Sequence, residues 1–534
     1  MPDLGLVLGL LAAIAFLAAV GRRMSLPDPI VFALGGLVLA LVPGLPRPAL
    51  PPSLVLVVFL PPLIFAAAQD TSWAEIRREA SPILFLAVGL VLVTMGAVAV
   101  VARSLTPELS WAAAFTLGAI VSPPDAVAAK AIADTLRLPR RLVAILEGEG
   151  LVNDATALLA FQVASGLAVT GAAFALGPAA LRALYAAGAA VGIGLAVGWV
   201  GRQVLERVGD PAAENTVTLL LPFAAFLPAD RVHASGVLAV LTLALYLSRY
   251  SATVAASASR LQGRVLWEMI NFLLTGLSFV LVGLQLPAVV GGLPHRPGGV
   301  VLTTVGVCLT VILVRPAWIF GVAWLSHGVR SVVEEAAPAS APRSSVLTVL
   351  SWAGMRGVVS LAVALSLPRF TDAGHPFPGR ELIVFVTFVL VLLTLIGQGL
   401  TLPALIRRLG VGLLAGRVED QELAIQLEMA HAALARMDEI AAENGYPAHA
   451  VDHARHFYAD RIEWLERRRD LRLSSPAEQA HDIRLRDATR NLLGQLLEIE
   501  HEQLQALRES ASLDSPLAQR IQSRLDLLRQ HHAR

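Results

Sequence analysis

The chain has 534 residues, of which 55% are hydrophobic and only 16% charged, against about 25% charged in a soluble globular domain. The formal net charge of +1 hides an asymmetry: residues 411–534 sum to about −5 and the preceding part to about +6. This composition describes a polytopic membrane domain, residues 1–410, followed by a charged cytosolic tail, residues 411–534, rather than a soluble enzyme.

The apolar windows fall, in chain order, at 4–20, 28–42, 53–68, 82–101, 111–133, 142–169, 179–200, 215–227, 234–247, 266–286, 300–324, 346–367 and 382–406. That pattern predicts an all-α membrane protein of about thirteen transmembrane helices. The first window lacks a basic segment before it and is followed by Arg22-Arg23, so it reads as a retained helix rather than a cleaved signal. Arginines cluster after the odd-numbered windows, as at Arg77-Arg78, Arg140-Arg141 and Arg407-Arg408, and are sparser after the even-numbered ones. The positive-inside rule then places the odd loops and the tail in the cytoplasm and the N-terminus outside. Basic residues used this way orient a membrane protein and give no reason to expect nucleic acid. The single cysteine, Cys308, lies in an apolar run, so neither a disulfide framework nor a thiolate metal site is available.

Two windows are interrupted. The fifth contains Val121-Ser122-Pro123-Pro124-Asp125, where two prolines remove backbone donors and disfavour helix before them. The twelfth contains Gly354-Met355-Arg356-Gly357, an arginine between glycines at membrane depth. Broken helices are tolerated in a bilayer only where the backbone is buried in protein or lines a cavity. Their free ends supply partial charges and carbonyls for ions, and a pair of them in two halves of a chain is the mark of an inverted-repeat secondary transporter.

Charged residues also lie at depth: Asp125, Glu147, Glu149, Asp154, Arg315, Arg356 and Lys130, the only lysine. Each such charge costs about 2.5–3.5 kcal/mol even on a lenient insertion scale, so pairing and water must reduce the cost. Glu149 and Asn153 share a helix face, with Asp154 about 100° round from Asn153. A small hard cation wants carboxylate, carbonyl and water oxygens. Asp154, Asp125, the Asn153 amide and the backbone carbonyls of Val121, Ser122 and Pro124 are of that kind, with Asp154 and Asp125 as the anionic metal ligands. A semi-buried carboxylate can hold a proton or a cation in turn, and that competition, coupled to a conformational change, suffices for exchange. Arg356 is expected to neutralise the carbonyl ends of half-helices, and Arg315 to pair with Glu149. Ser360, Thr394 and Gln398 read as ordinary satisfied polar residues, and Ser235 as a helix cap.

Glu147-Gly148-Glu149-Gly150-Leu151-Val152-Asn153-Asp154 resembles the Asn-Asp motif of the sodium/proton exchanger domain in the first monovalent cation:proton antiporter family, most closely its bacterial branch. Ser122-Pro123-Pro124-Asp125 and Gly354-Met355-Arg356-Gly357-Val358-Val359-Ser360 are similar to its two broken-helix motifs, and the likeness runs over residues 4–409. The resemblance implies a homodimer of thirteen-helix protomers. It also implies inverted repeats, a core domain moving against a dimerisation domain, and alternating-access exchange of cytoplasmic Na⁺ for external H⁺ in Na⁺ and pH homeostasis. By it Asp154 is the ion- and proton-binding acid, an Asn-Asp pair goes with electroneutral exchange, and Glu149 pairs with Arg315. Three positions depart from many relatives: Ala66 replaces an acid, Gly150 a serine and Pro124 a threonine. K⁺/H⁺ exchange therefore stays open, as does a cation channel or transporter-derived sensor. No cofactor is expected; the cations are cargo. The tail reads as helices from about residue 419, broken near 444–447 and 474–476, with no enzyme motif.

Overall fold

The computed structural model describes residues 4–24, 26–42, 52–69, 73–125, 140–171, 176–249, 257–291, 297–325, 343–409 and 415–473, with positions 488, 492, 496, 499, 500 and 503 beyond them. Among these residues the regular structure is helical, apart from one isolated bridge between Phe370 and Pro376. The chain divides into two compact units, Met1–Ala415 and Gly416–Arg534.

The first unit opens with α1 (Leu4–Met24), α2 (Asp28–Ala40), α3 (Pro52–Gln69) and the short α4 (Trp73–Arg78). There follow α5 (Ala80–Leu105), α6 (Trp111–Val121), α7 (Arg140–Thr170), α8 (Leu176–Leu205), α9 (Pro211–Arg231) and α10 (Gly236–Ser248). The unit ends with α11 (Ser257–Leu284), α12 (Leu286–Gly291), α13 (Pro297–Leu325), α14 (Arg343–Trp352), α15 (Val358–Leu365) and α16 (Arg380–Leu409). Eight of the described helices are long and apolar enough to cross a membrane, and four shorter apolar helices accompany them. Each window read from the sequence overlaps one of these helices or the α14–α15 pair, and residues 126–133 of the fifth lie outside the described residues. Helix is the form that satisfies every backbone donor and acceptor without water, which is why apolar runs of this length adopt it.

Small residues set how closely the helices approach. A Cβ at Gly36 of α2 would overlap the Val280 carbonyl of α11, and one at Gly283 of α11 would overlap Gly36 and the Leu37 backbone. Gly118 makes the same approach between α6 and α5, against the Met95 carbonyl. Such contacts drive packing in lipid, where burial of apolar surface gives little advantage. Ser235 caps α10, its hydroxyl accepting from the Leu238 N–H at 3.3 Å, as expected.

Two features were not expected. α5 and α16 each contain a π-helical turn, at Phe85–Leu90 and Leu393–Gln398. The wider turn redirects local groups: the Phe85 carbonyl accepts from Trp318 Nε1 of α13 at 3.0 Å. Such turns are frequent at functional positions.

In the second unit α17 (Ala415–Ala435), α18 (Met437–Asn444) and α19 (Ala448–Leu473) form a small helical module. Leu423, Leu427 and Ala430 of α17 pack on Ile462 and Leu465 of α19. Gly445, at φ +65°, ends α18 in the left-handed conformation, at the break expected there. Arg468 lies over the Trp464 ring at 5.3 Å, on a half-exposed face. The break expected near 474–476 lies outside the described residues.

Candidate ion site at the two broken helices

Helix stops at both predicted interruptions, and residues 126–139 after the first lie outside the described residues. α6 stops at Val121, where Pro123 and Pro124 cannot supply the amide hydrogens that would extend it. α14 stops at Trp352 and α15 starts at Val358, leaving residues 353–357 without helix. The two breaks touch: the Asp125 N–H donates to the Met355 carbonyl at 2.6 Å. A Cβ at Gly357 would overlap the Asp125 carboxylate, so only glycine lets the first break lie over the second.

Arg356 ties them together. Its Nε donates to the Val121 carbonyl at 3.0 Å, its Nη2 to the Ser122 carbonyl at 3.1 Å, and its Nη1 to the Gly354 carbonyl. These carbonyls belong to the C-terminal ends of two half-helices, where a cation is favoured. The Arg356 backbone N–H donates to Thr394 Oγ1, on the π-helical turn of α16, at 3.0 Å.

This geometry corrects one expectation. Val121 and Ser122 are poor cation ligands, because their carbonyls already serve a guanidinium whose charge repels a second cation. The Pro124 carbonyl is engaged differently. It accepts from the neutral Asn153 Nδ2 at 3.0 Å, which leaves it a second lone pair.

Glu149 and Arg315 form a two-pronged ion pair, Nη1 to Oε1 at 2.5 Å and Nη2 to Oε2 at 2.9 Å. Arg315 Nε also donates to the Leu350 carbonyl of α14 at 3.1 Å. Both side chains are about 2% exposed. The pair joins α7 to α13 and supports α14 just before its break. Gly354 is again a close approach, since a Cβ there would overlap Arg315 Cδ.

Asn153 is fully buried, and its Oδ1 accepts no hydrogen bond from the described residues. Its neighbour Asp154 has no hydrogen-bond or ion-pair partner among the described residues, although it feels the charge of the Asp125 carboxylate. Asp154 lines a cavity of about 10 Å³, bounded by Ile120 and Pro123 near the first break, Phe161 of α7 and Val363 of α15. A cavity of that size holds about one water. Among the described residues the other polar side chain on its wall is Ser360. Among the described residues no group of three or more His, Cys, Asp or Glu is placed to hold a metal ion. Ala66 is buried in α3 and, like Gly150, contributes no side-chain oxygen. Lys130 lies outside the described residues.

The three residues taken as ordinary satisfied polar groups divide. Thr394 is satisfied, donating to the Leu390 carbonyl at 2.9 Å while accepting from Arg356. Gln398 is buried, with Oε1 lacking a partner among the described residues. Ser360 is buried and makes no hydrogen bond to the described residues. A serine three residues into a half-helix that follows a Gly-Met-Arg-Gly break was the available signal, because no helical carbonyl lies four residues before it.

The family profile described as the transmembrane sodium/hydrogen exchanger matches residues 9–408. An uncharacterised Na⁺/H⁺ exchanger of Mycobacterium tuberculosis is 36% identical over 536 residues, covering 98% of this chain and 96% of that protein. A sodium, potassium, lithium and rubidium/H⁺ antiporter of Bacillus subtilis is 30% identical over 75% of this chain and 61% of its own length. The sodium proton antiporter MjNhaP1 of Methanocaldococcus jannaschii shares the fold, with a TM-score of 0.57 at 18% identity over 77% of this chain and 99% of that one. With the family matched along the whole helical unit, the chain belongs to the sodium/hydrogen exchangers: it is a multi-pass membrane protein that exchanges monovalent cations for protons.

Proposed function

We propose that the exchanged cation is Na⁺ and that Asp154 carries Na⁺ and H⁺ in turn by alternating access. The observation that carries this reading is an acid without a hydrogen-bond or ion-pair partner among the described residues, opening onto a cavity about the size of one water. A lone ionised carboxylate in such surroundings is costly, and a cation or a proton is the partner that removes the cost. Asn153 Oδ1 and the free lone pair of Pro124 O are neutral oxygens nearby, and Asp125 adds a second charge.

Charge balance supports one-for-one exchange. Asp154 beside a neutral Asn153, rather than a second acid, leaves one carboxylate at this position to take one monovalent cation or one proton, so electroneutral turnover is the expected cycle. A second reading, K⁺/H⁺ exchange, draws on the broad cation range in the name of the Bacillus relative and on the missing side-chain oxygens at Ala66, Gly150 and Pro124.

The arginine pattern supports an external N-terminus, and residues 411–534 are assigned as a cytosolic helical tail. The family resemblance supports about thirteen spans in inverted repeats and a homodimer. Proteoliposomes containing a pH-sensitive dye test the core of this reading. Imposed Na⁺, Li⁺ and K⁺ gradients should each be tried, with and without a membrane potential. Na⁺-driven proton movement that is insensitive to potential and lost in Asp154→Asn is expected. Normal exchange by Asp154→Asn would refute the role of Asp154, and a response to K⁺ alone would replace Na⁺ by K⁺.

A further inference from the structure

We infer that Ser360 is a cation ligand contributed by the second broken helix, and that its hydroxyl sets the affinity of the site for small hard cations. This deepens the reading of Asp154 as the exchanging acid and rests on it.

The cavity carries the argument. Among the described residues its wall holds two polar side chains, Asp154 from α7 and Ser360 from α15, and the other side chains described there are apolar. Ser360 is only 3% exposed. The default partner of a helical hydroxyl is a carbonyl one turn back. Thr116, Thr156, Thr242 and Thr310 all use it, at 2.7–3.0 Å. Serines here use the carbonyl three residues back, as Ser104, Ser248 and Ser366 do. Ser360 makes neither bond to the described residues: the residue four positions earlier is Arg356, inside the break, and the one three earlier is Gly357, the cap before α15 starts at Val358. The break that exposes the half-helix end thus also frees the hydroxyl beside the acid.

Chemically, a hydroxyl offers lone pairs to a cation without adding charge. A neutral oxygen opposite a carboxylate suits Na⁺ or Li⁺, which prefer hard oxygen ligands. It also leaves the charge balance of the cluster unchanged. With Ala66 and Gly150 contributing none, and Val121 and Ser122 committed to Arg356, this chain has few other oxygens to offer. Because Ser360 and Asp154 lie on different helices, a cation bridging them would also tie α15 to α7 in the loaded state.

The test uses full-length protein in proteoliposomes, with NaCl, LiCl and KCl as probes at several pH values. Ser360→Ala and Ser360→Cys should each raise the Km for Na⁺ about tenfold, the worth of one ion–hydroxyl contact, with Vmax retained and a smaller change for K⁺. Ser360→Thr should keep the parent Km. The cysteine variant preserves volume but presents a soft sulfur, so it gives the same readout if the alanine variant packs poorly. An unchanged Na⁺ Km in the alanine and cysteine variants, or a loss confined to Vmax and equal for all three cations, overturns the inference. Asp154→Asn in parallel separates the two claims. If it is inactive while the serine variants keep parent Km values, only the role of Ser360 fails; if it exchanges normally, the role of Asp154 fails first.

Discussion

Replacing Glu149 by glutamine leaves the volume at that position nearly unchanged and removes its charge. The carboxylate now takes two bonds from Arg315, at 2.5 and 2.9 Å, in a place about 2% exposed. Charge-assisted bonds of this kind contribute about 1.5–3 kcal/mol each, and breaking a buried pair by removing one partner costs about 3–5 kcal/mol. The glutamine oxygen keeps one acceptor, which places the loss near the lower bound, about 3 kcal/mol. Arg315 would also face the charge of Arg356 with no intervening anion, since the two guanidinium groups lie within electrostatic reach of one another and of Glu149. At about 2.1 cal/mol/K per residue, a unit of this size shifts by about 1 °C per kcal/mol, so melting of the detergent-purified protein should fall by about 3–4 °C. The eight tryptophans provide a fluorescence readout. In Glu149→Gln/Arg315→Gln the stranded charge is gone, so at least half of the lost stability should return. A single variant within about 0.5 kcal/mol of the parent, with a double variant no more stable than the single, would refute the reasoning.

Gly357→Ala should reduce exchange at least tenfold with normal expression, because its Cβ would displace the Asp125 carboxylate and separate the two breaks; fluorescence-dequenching rates in vesicles measure this, and a parent-like rate would show that the contact yields without consequence. If proton and cation compete for one carboxylate, the Km for Na⁺ should rise as pH falls, approaching about tenfold per pH unit at the acidic limit, with Vmax at saturating Na⁺ much less affected. A Km independent of pH between about 5 and 9 would place the two ions at separate groups.

Much of the architecture was legible because it depends on local chemistry. Long apolar runs must become helix in a bilayer, and the windows accordingly land on helices. Pro123-Pro124 and Gly354–Gly357 weaken helix wherever they occur, so both breaks could be placed from the residues. Glu149 and Arg315 are opposite charges at depth, and the cost of leaving either alone makes their pairing expected. The commitments of the carbonyls were not legible. Val121 and Ser122 looked like free ligands until the fold brought Arg356, more than 230 positions later, onto both. The π-helical turn that presents Thr394 to Arg356 had no readable signal, because it is a one-residue change in hydrogen-bond register inside an ordinary apolar run.

The sequence by itself determined the helices, the two interruptions and the set of buried charges, since each follows from backbone chemistry or from the cost of charge in an apolar medium. Only the tertiary structure decided which oxygens remain available. Hydrogen-bond capacity is finite, and whether a given carbonyl or hydroxyl is already taken depends on groups distant in sequence that packing brings beside it. That allocation leaves Asp154 and Ser360 facing the same small cavity, with the arginines used elsewhere.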